Sequence, residues 1–258
     1  MNMTFDQYIS NPMGKKNAVY GNREMYRNLY KEKLDKILVR EVGAVQYKLY
    51  TGKKDTYYVY FKIPSEPIKD FYYDTVIEFY TDKKEAKLSR SLKDYYVKFY
   101  SNDPSFVFTF AHAMISNGMF IEELKPKMAK EAVKHKAKIK NPKDEVGYVK
   151  SIYFAYLLMR QYGLFNKVKF ETYAESFNVK NLSNEIMDAE EKVQRRINAE
   201  EELNKKKKLE KAKARNNTND SDDNKYTKSS RISKGISKVK TTSGIKSTKT
   251  TKRKSKIK

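Results

Sequence analysis

Residues 45–64 carry the pattern that most limits how this chain can fold. Val45-Gln46-Tyr47-Lys48-Leu49-Tyr50 alternates apolar and polar side chains. Gly52-Lys53-Lys54-Asp55 then supplies turn residues, and Tyr57 to Ile63 resumes an apolar run that Pro64 closes. Two such runs around a short Gly-containing connection are the signature of a β-hairpin. Proline fits at the end of the second run because it cannot donate to a ladder. Strands joined by so short a turn pair antiparallel. Phe71–Tyr80 predicts a third strand and Tyr95–Tyr100 a fourth.

Helical signals flank this sheet. Thr4 begins a short helix with Gln7 in the capping-box position, and Asn11-Pro12 and Gly14 end it. Asn22 to Arg40 carries Met25, Leu29, Leu34, Ile37 and Leu38 on a loose apolar face. Beyond the sheet, Asn102 or Asp103 can cap a helix with Pro104 in its first position and Asn117-Gly118 at its end. Its interior is apolar almost all round, which predicts burial. Phe106, Phe108 and Phe110 also alternate, so a strand competes here. A second helix is expected from Ile121 to about His135, and a third from Asn141-Pro142 to Gly163, while Phe170–Phe177 fits either state.

A long polar helix follows, from about Ser183 to Arg215. Its acids (Glu185, Asp188, Glu190, Glu191) come early and its lysines (Lys205 to Lys208) late, which complements the helix dipole. Glu191/Arg195, Glu201/Lys205 and Glu202/Lys206 have the favoured i,i+4 orientation. Leu182, Ile186, Ala189 and Val193 begin an a/d seam that Arg196 and Glu200 interrupt. The helix therefore reads as a solvated arm, with a short coiled coil or a partner-docking helix as the alternative. The expected fold is α+β: an N-terminal antiparallel sheet of three to four strands packed with helices, then the polar helix and a disordered tail. The corresponding divisions are a body over 1–180, the helix over 181–215 and the tail over 216–258.

The tail is where the charge concentrates. From Asn224 to Lys258 there is no acidic residue, and thirteen Ser or Thr are threaded among thirteen cations: Lys225, Lys228, Arg231, Lys234, Lys238, Lys240, Lys246, Lys249, Lys252, Arg253, Lys254, Lys256 and Lys258. So little apolar surface and so much like charge predict disorder. Of the formal net charge of +23, the residues from Lys205 onward hold 20 basic and 4 acidic groups, a net +16. Such asymmetry points to a polyanionic partner. Lysines of this kind neutralise phosphates without reading sequence. These thirteen residues are the candidate nucleic-acid contacts, with DNA favoured over RNA. Lys252-Arg253-Lys254 also resembles a nuclear import signal.

No comparable feature points at a reaction. The chain has no cysteine, which removes disulfides, thiolate metal sites and a Cys nucleophile, and only His112 and His135 supply imidazole. A Ser-His-Asp hydrolase would need one of them. His112, inside an apolar helix, reads as a satisfied core histidine, and His135, amid lysines, as solvent-facing. Gly14-Lys15-Lys16 and Gly52-Lys53-Lys54 each lack the first glycine and the hydroxyl residue of a phosphate loop. A metal nuclease using carboxylates near Asp74, Asp82 and Glu85 rests on the triplet Glu85-Ala86-Lys87. However, (D/E)-x-K occurs five times, about as often as 32 acids and 45 lysines in 258 residues produce by chance. No cofactor motif is present, and no catalytic or metal-ligating residue is assigned. Tyr47, Tyr57, Tyr58, Tyr60, Tyr72 and Tyr73, interleaved with lysines, fit either base stacking on an exposed sheet or a core shared with edges and interfaces. The most apolar windows, Phe106–Ile115 and Ile152–Met159, fall short of the ~18–20 residues that span a bilayer. No secretory signal is visible, so a soluble protein, intracellular or particle-associated, is expected.

The opening MNMTFDQYISNPMGKKNAVYGNRE and the run NPKDEVGYVKSIYFAYLLMRQYGLF, in a Lys-, Tyr- and Asn-rich setting without cysteine, resemble small uncharacterised proteins of tailed phages of low-GC bacteria. The resemblance implies a viral setting: a virion component or a DNA-associated accessory protein, located in the virion or the bacterial host cytoplasm. Its body would join a protein assembly.

Overall fold

A computed structural model of the protein describes residues 2–10, 46–65, 68 and 70–219, with side chains to 214. The helix expected over Asn22–Arg40 and the tail from 220 onward lie outside the described residues, whereas 216–219, expected as part of the disordered tail, continue the last helix. The fold is α+β. A five-stranded sheet has the order β4-β3-β2-β1-β5, with β1 Gln46–Thr51, β2 Tyr57–Pro64, β3 Tyr72–Tyr80, β4 Tyr96–Ser101 and a short β5 Glu175–Ser176. The first four strands pair antiparallel in sequence order, and β5 lies parallel to β1. The hairpin forms where expected, with Thr51 opposite Tyr57 and Gln46 opposite Lys62. Its turn places Lys54 and Asp55 at φ near +57°.

Both faces of the central strands are buried. Strand residues alternate between faces. One face carries Val59, Phe61, Ile77, Phe79 and Phe99, all 0 % exposed. It packs against α1 (Phe5–Ser10), where Phe5 lies 5.2 Å from the Phe99 ring and Tyr8 stacks on Phe99 at 4.4 Å. The helix is set by the capping box read from the sequence. Thr4 N–H donates to Gln7 Oε1 (2.9 Å), and Gln7 N–H donates to Thr4 Oγ1 (3.3 Å). The other face carries Tyr58, Tyr60, Val76, Glu78 and Tyr100, all buried. Phe177 stacks on Tyr58 there at 3.8 Å. This double burial is why β2 reads as a nearly continuous apolar run.

After β3 come α2 (Lys84–Leu88) and a 3₁₀ turn, Leu92–Asp94. The Asp103-capped helix forms as α3 (Pro104–Thr109), with Asp103 Oδ1 accepting from Ser105 N–H. It breaks at Phe110 and resumes as α4 (Ala111–Ser116), ending at Gly118 with φ +68°. The helix expected over 121–135 is two pieces: a 3₁₀ segment, Glu122–Lys127, holding Pro126, and α5 (Lys130–Lys134). Proline inside the segment removes a donor and clashes with the preceding turn. The helix expected from Asn141 begins only at Lys150, as α6 (Lys150–Gln161), because Asn141 folds the chain into a turn instead. Its Oδ1 accepts from Glu145 N–H and its amide donates to Thr109 O. Next come α7 (Lys167–Tyr173), α8 (Val179–Glu185) and α9 (Ala189–Asn219). The chain divides into two units, 1–209 and 210–258, the first containing the sheet. No helix among the described residues is long and apolar enough to cross a membrane.

Candidate nucleic-acid interface

The thirteen tail cations, Lys225 to Lys258, lie outside the described residues. What the structure does place is the element leading to them. Lys205, Lys206, Lys207 and Lys208 are all exposed on α9, as are Lys211 and Lys213 in its last described part.

The start of this helix is fastened to the sheet. Leu182, Ile186 and Ala189, three members of the expected seam, are at most 1 % exposed. They therefore serve the body's own core. The helix breaks between Glu185 and Ala189, and the break sits on a buried polar cluster. Asp74 Oδ1 accepts from Tyr60 Oη (2.8 Å), and its Oδ2 accepts from Asn102 Nδ2 (2.6 Å) and Met187 N–H (3.4 Å). Asn102 Nδ2 also donates to Met187 O, and Asn102 Oδ1 accepts from Asp74 N–H. Further along, Lys127 pairs with Asp188 at 3.2 Å, and Glu190 accepts from Lys130 N–H. Lys192 lies 4.8 Å over the Phe71 ring, and burial lowers its pKa. Arg196 donates to Tyr73 Oη and pairs with Glu200 at 2.7 Å. Burial raises Tyr73 to about 12. Arg196, which interrupts the apolar seam in the sequence, is thus a docking contact.

The carboxylates considered for a nuclease do not assemble. Asp74 is 4 % exposed and committed to the cluster just described, whereas Asp82 and Glu85 are exposed beyond the far end of β3. Asp74 alone lies roughly 20 Å of strand from Tyr80 at ~3.3 Å per residue. Among the described residues no three His, Asp or Glu side chains come together to hold a metal. Asp103, buried and raised in pKa chiefly by that burial, caps α3.

His112 is half-buried, not a core residue. Its Nδ1 lies 2.7 Å from Asp144 Oδ2. Ser116 Oγ approaches the same nitrogen at 3.5 Å, so the ring does not link serine and aspartate through its two nitrogens as a hydrolytic triad requires. His135 is solvent-facing, as expected, beside Glu131 at 3.6 Å. Of the tyrosines considered for stacking, Tyr57, Tyr58, Tyr60 and Tyr73 are buried and Tyr72 is half-buried. Tyr47, 41 % exposed, is stacked on Tyr162 at 5.4 Å. These rings build the body and offer no open platform.

Two hollows lie beside α5, and sequence reading singles out neither. A cleft of about 190 Å³ is lined by Phe108, Thr109 and His112 from α3–α4 and by Glu131, His135 and Lys136. A groove of about 550 Å³ is lined by Lys125, Pro126, Met128, Lys130, Val133 and Lys134. At 100° per residue, positions 130, 133 and 134 face away from 131, 132 and 135. The two hollows therefore use opposite sides of α5. Residues 130–143 hold six lysines (130, 134, 136, 138, 140 and 143), all exposed, and one acid, Glu131. The only prior signal for this site was that lysine density, in a chain where lysine is common throughout. Compared with family models, with curated proteins and with solved structures, the chain matches none.

Proposed function

We propose that this chain is a non-catalytic structural or accessory protein of a tailed-phage setting, virion- or DNA-associated, acting in the virion or the host cytoplasm. Its α+β body joins a protein assembly, and its C-terminal lysines hold nucleic acid, DNA in preference to RNA, through the phosphates. The observation that carries the reading is the division of charge: a net +16 on the residues from Lys205 onward against +7 on the 204 before them. Cations so concentrated release counterions when they meet a phosphate backbone, which drives association without base recognition. The anchoring of α9 by Ala189 and Arg196 supports the reading, because the basic stretch of the helix starts from a firmly docked element.

Filter binding with the full-length protein at low salt tests this. The wild type should retain two unrelated duplexes equally. A full-length variant with all thirteen tail cations changed to Ser should lose most of that retention. Binding that survives the change intact would overturn the assignment of the tail.

A further inference from the structure

The cleft beside α5 has the features of a site for part of a larger ligand. Its volume of about 190 Å³ is below the ~300–1,000 Å³ of pockets that enclose a whole small molecule. It has room for one flat ring system. Phe108, on its wall, is 51 % exposed, a large ring left half in water. Thr109 lines the same cleft at 3 % exposure, and its Oγ1 is buried without a hydrogen-bond partner. A buried hydroxyl left unmet costs free energy and calls for a ligand or a water. His112 lines it too, with Nδ1 held by Asp144. Since a carboxylate only accepts, Nδ1 donates there, and Nε2 is the ring nitrogen left for a ligand. An aromatic face, a hydroxyl and an imidazole held in place by Asp144 suit the face and edge of a heterocyclic base. Of the six exposed lysines of 130–143, Lys136 lines this cleft, and Lys130 and Lys134 line the groove on the other side of α5. That spread of cations exceeds what one phosphate needs and suits a backbone passing along the surface. Stacking of bases on aromatic rings within a basic track is how single strands are held without sequence preference. A duplex keeps its bases stacked and cannot offer one to the cleft.

We propose that the cleft between α3–α4 and α5 takes one unpaired base of a single-stranded nucleic acid, stacked on Phe108 and hydrogen-bonded by Thr109 and His112, while lysines of 130–143 hold the neighbouring phosphates. This inference rests on the reading of the chain as a nucleic-acid binder and adds a second, strand-selective site on the body.

The test uses full-length protein and fluorescence anisotropy with a labelled single strand and the matching duplex. Phe108→Ala should weaken single-strand binding about tenfold or more, since one stacked base contributes ~1–3 kcal/mol, and leave duplex binding within about twofold. Thr109→Val, which removes only the unpartnered hydroxyl, should alter the ranking of homopolymer strands while keeping the melting temperature. Neutralising the five cations Lys252, Arg253, Lys254, Lys256 and Lys258 should weaken both ligands alike. An unchanged single-strand to duplex ratio in Phe108→Ala overturns the cleft, even if the tail variant behaves as expected. A changed ratio alongside an unaffected tail variant upholds the cleft and overturns the tail. Adenosine monophosphate competing as well as the oligonucleotide, or phosphatidylserine vesicles displacing it from the cleft, would overturn the single-strand assignment in favour of a free nucleotide or a membrane surface.

Discussion

Glu78 is the residue at which burial most visibly outweighs pairing. It sits on β3 between Tyr58 and Lys98 in register, 6 % exposed, with Oε2 buried and without a hydrogen bond. Burial raises its pKa to about 7. Lys98 at 3.8 Å pulls the other way, and nearby Glu123 adds to the rise. The folded protein therefore holds this proton more tightly than the unfolded chain, whose carboxyl titrates near its ordinary value of 4.5. The stabilisation from the protonated form is full below about pH 4.5 and is lost as pH rises to about 7, where it levels off. A shift of this size corresponds to as much as ~3 kcal/mol. Urea denaturation of the wild type should show that decline between about pH 4.5 and about pH 7 as one component of its profile. Glu78→Gln should lack the component and be the more stable protein at pH 8. A variant that follows the wild-type profile throughout would show that Glu78 is not the titrating group.

At the scale of elements, the sequence speaks clearly where local rules act alone. The hairpin, the Thr4–Gln7 box and the Asp103 cap each need only residues within a turn of one another, and each forms at the expected place. Reading falters where a distant contact decides. Asn141 followed by Pro142 looks like a helix start, yet Asn141 is used to tie Thr109 and Glu145, and the chain from Val146 to Val149 is buried outside any helix. Gly147 shows what that path requires. A Cβ there would stand 2.5 Å from the Phe110 ring, and its carbonyl accepts from Tyr8 Oη at 2.6 Å. Gly147→Ala should cost about 1–3 kcal/mol through overpacking. Adding Phe110→Leu to that variant should recover part of the loss, so the two changes should couple in a double-mutant cycle read by chemical denaturation. Purely additive effects would mean that ring and backbone do not crowd each other.

For the molecule as a whole, what the sequence reveals of the site depends on how each part is made. The tail's charge is legible because charges sum along a chain regardless of fold. The cleft beside α5 is not legible, because Phe108 and His112 meet Glu131 and His135 only through packing of α3–α4 against α5. The aromatic run 57–61 allows an open sheet face beside a core, and burial on both sides of β2 decides for the core. The legible part makes a quantitative claim. Each phosphate contact on duplex DNA adds about 0.9 to the slope of log affinity against log salt, or ~0.7 on a single strand. Neutralising Lys252, Arg253, Lys254, Lys256 and Lys258 should therefore lower the duplex slope by up to about 4.5, by less where only some of the five touch phosphate at once. Two unrelated duplexes should lose affinity equally, because phosphate contacts carry no sequence information, whereas a tail reading base edges would lose discrimination between them. Titrations at four or more salt concentrations separate these outcomes. A slope that does not move would place the phosphate contacts elsewhere on the chain, with the exposed lysines of 130–143 the next to be changed.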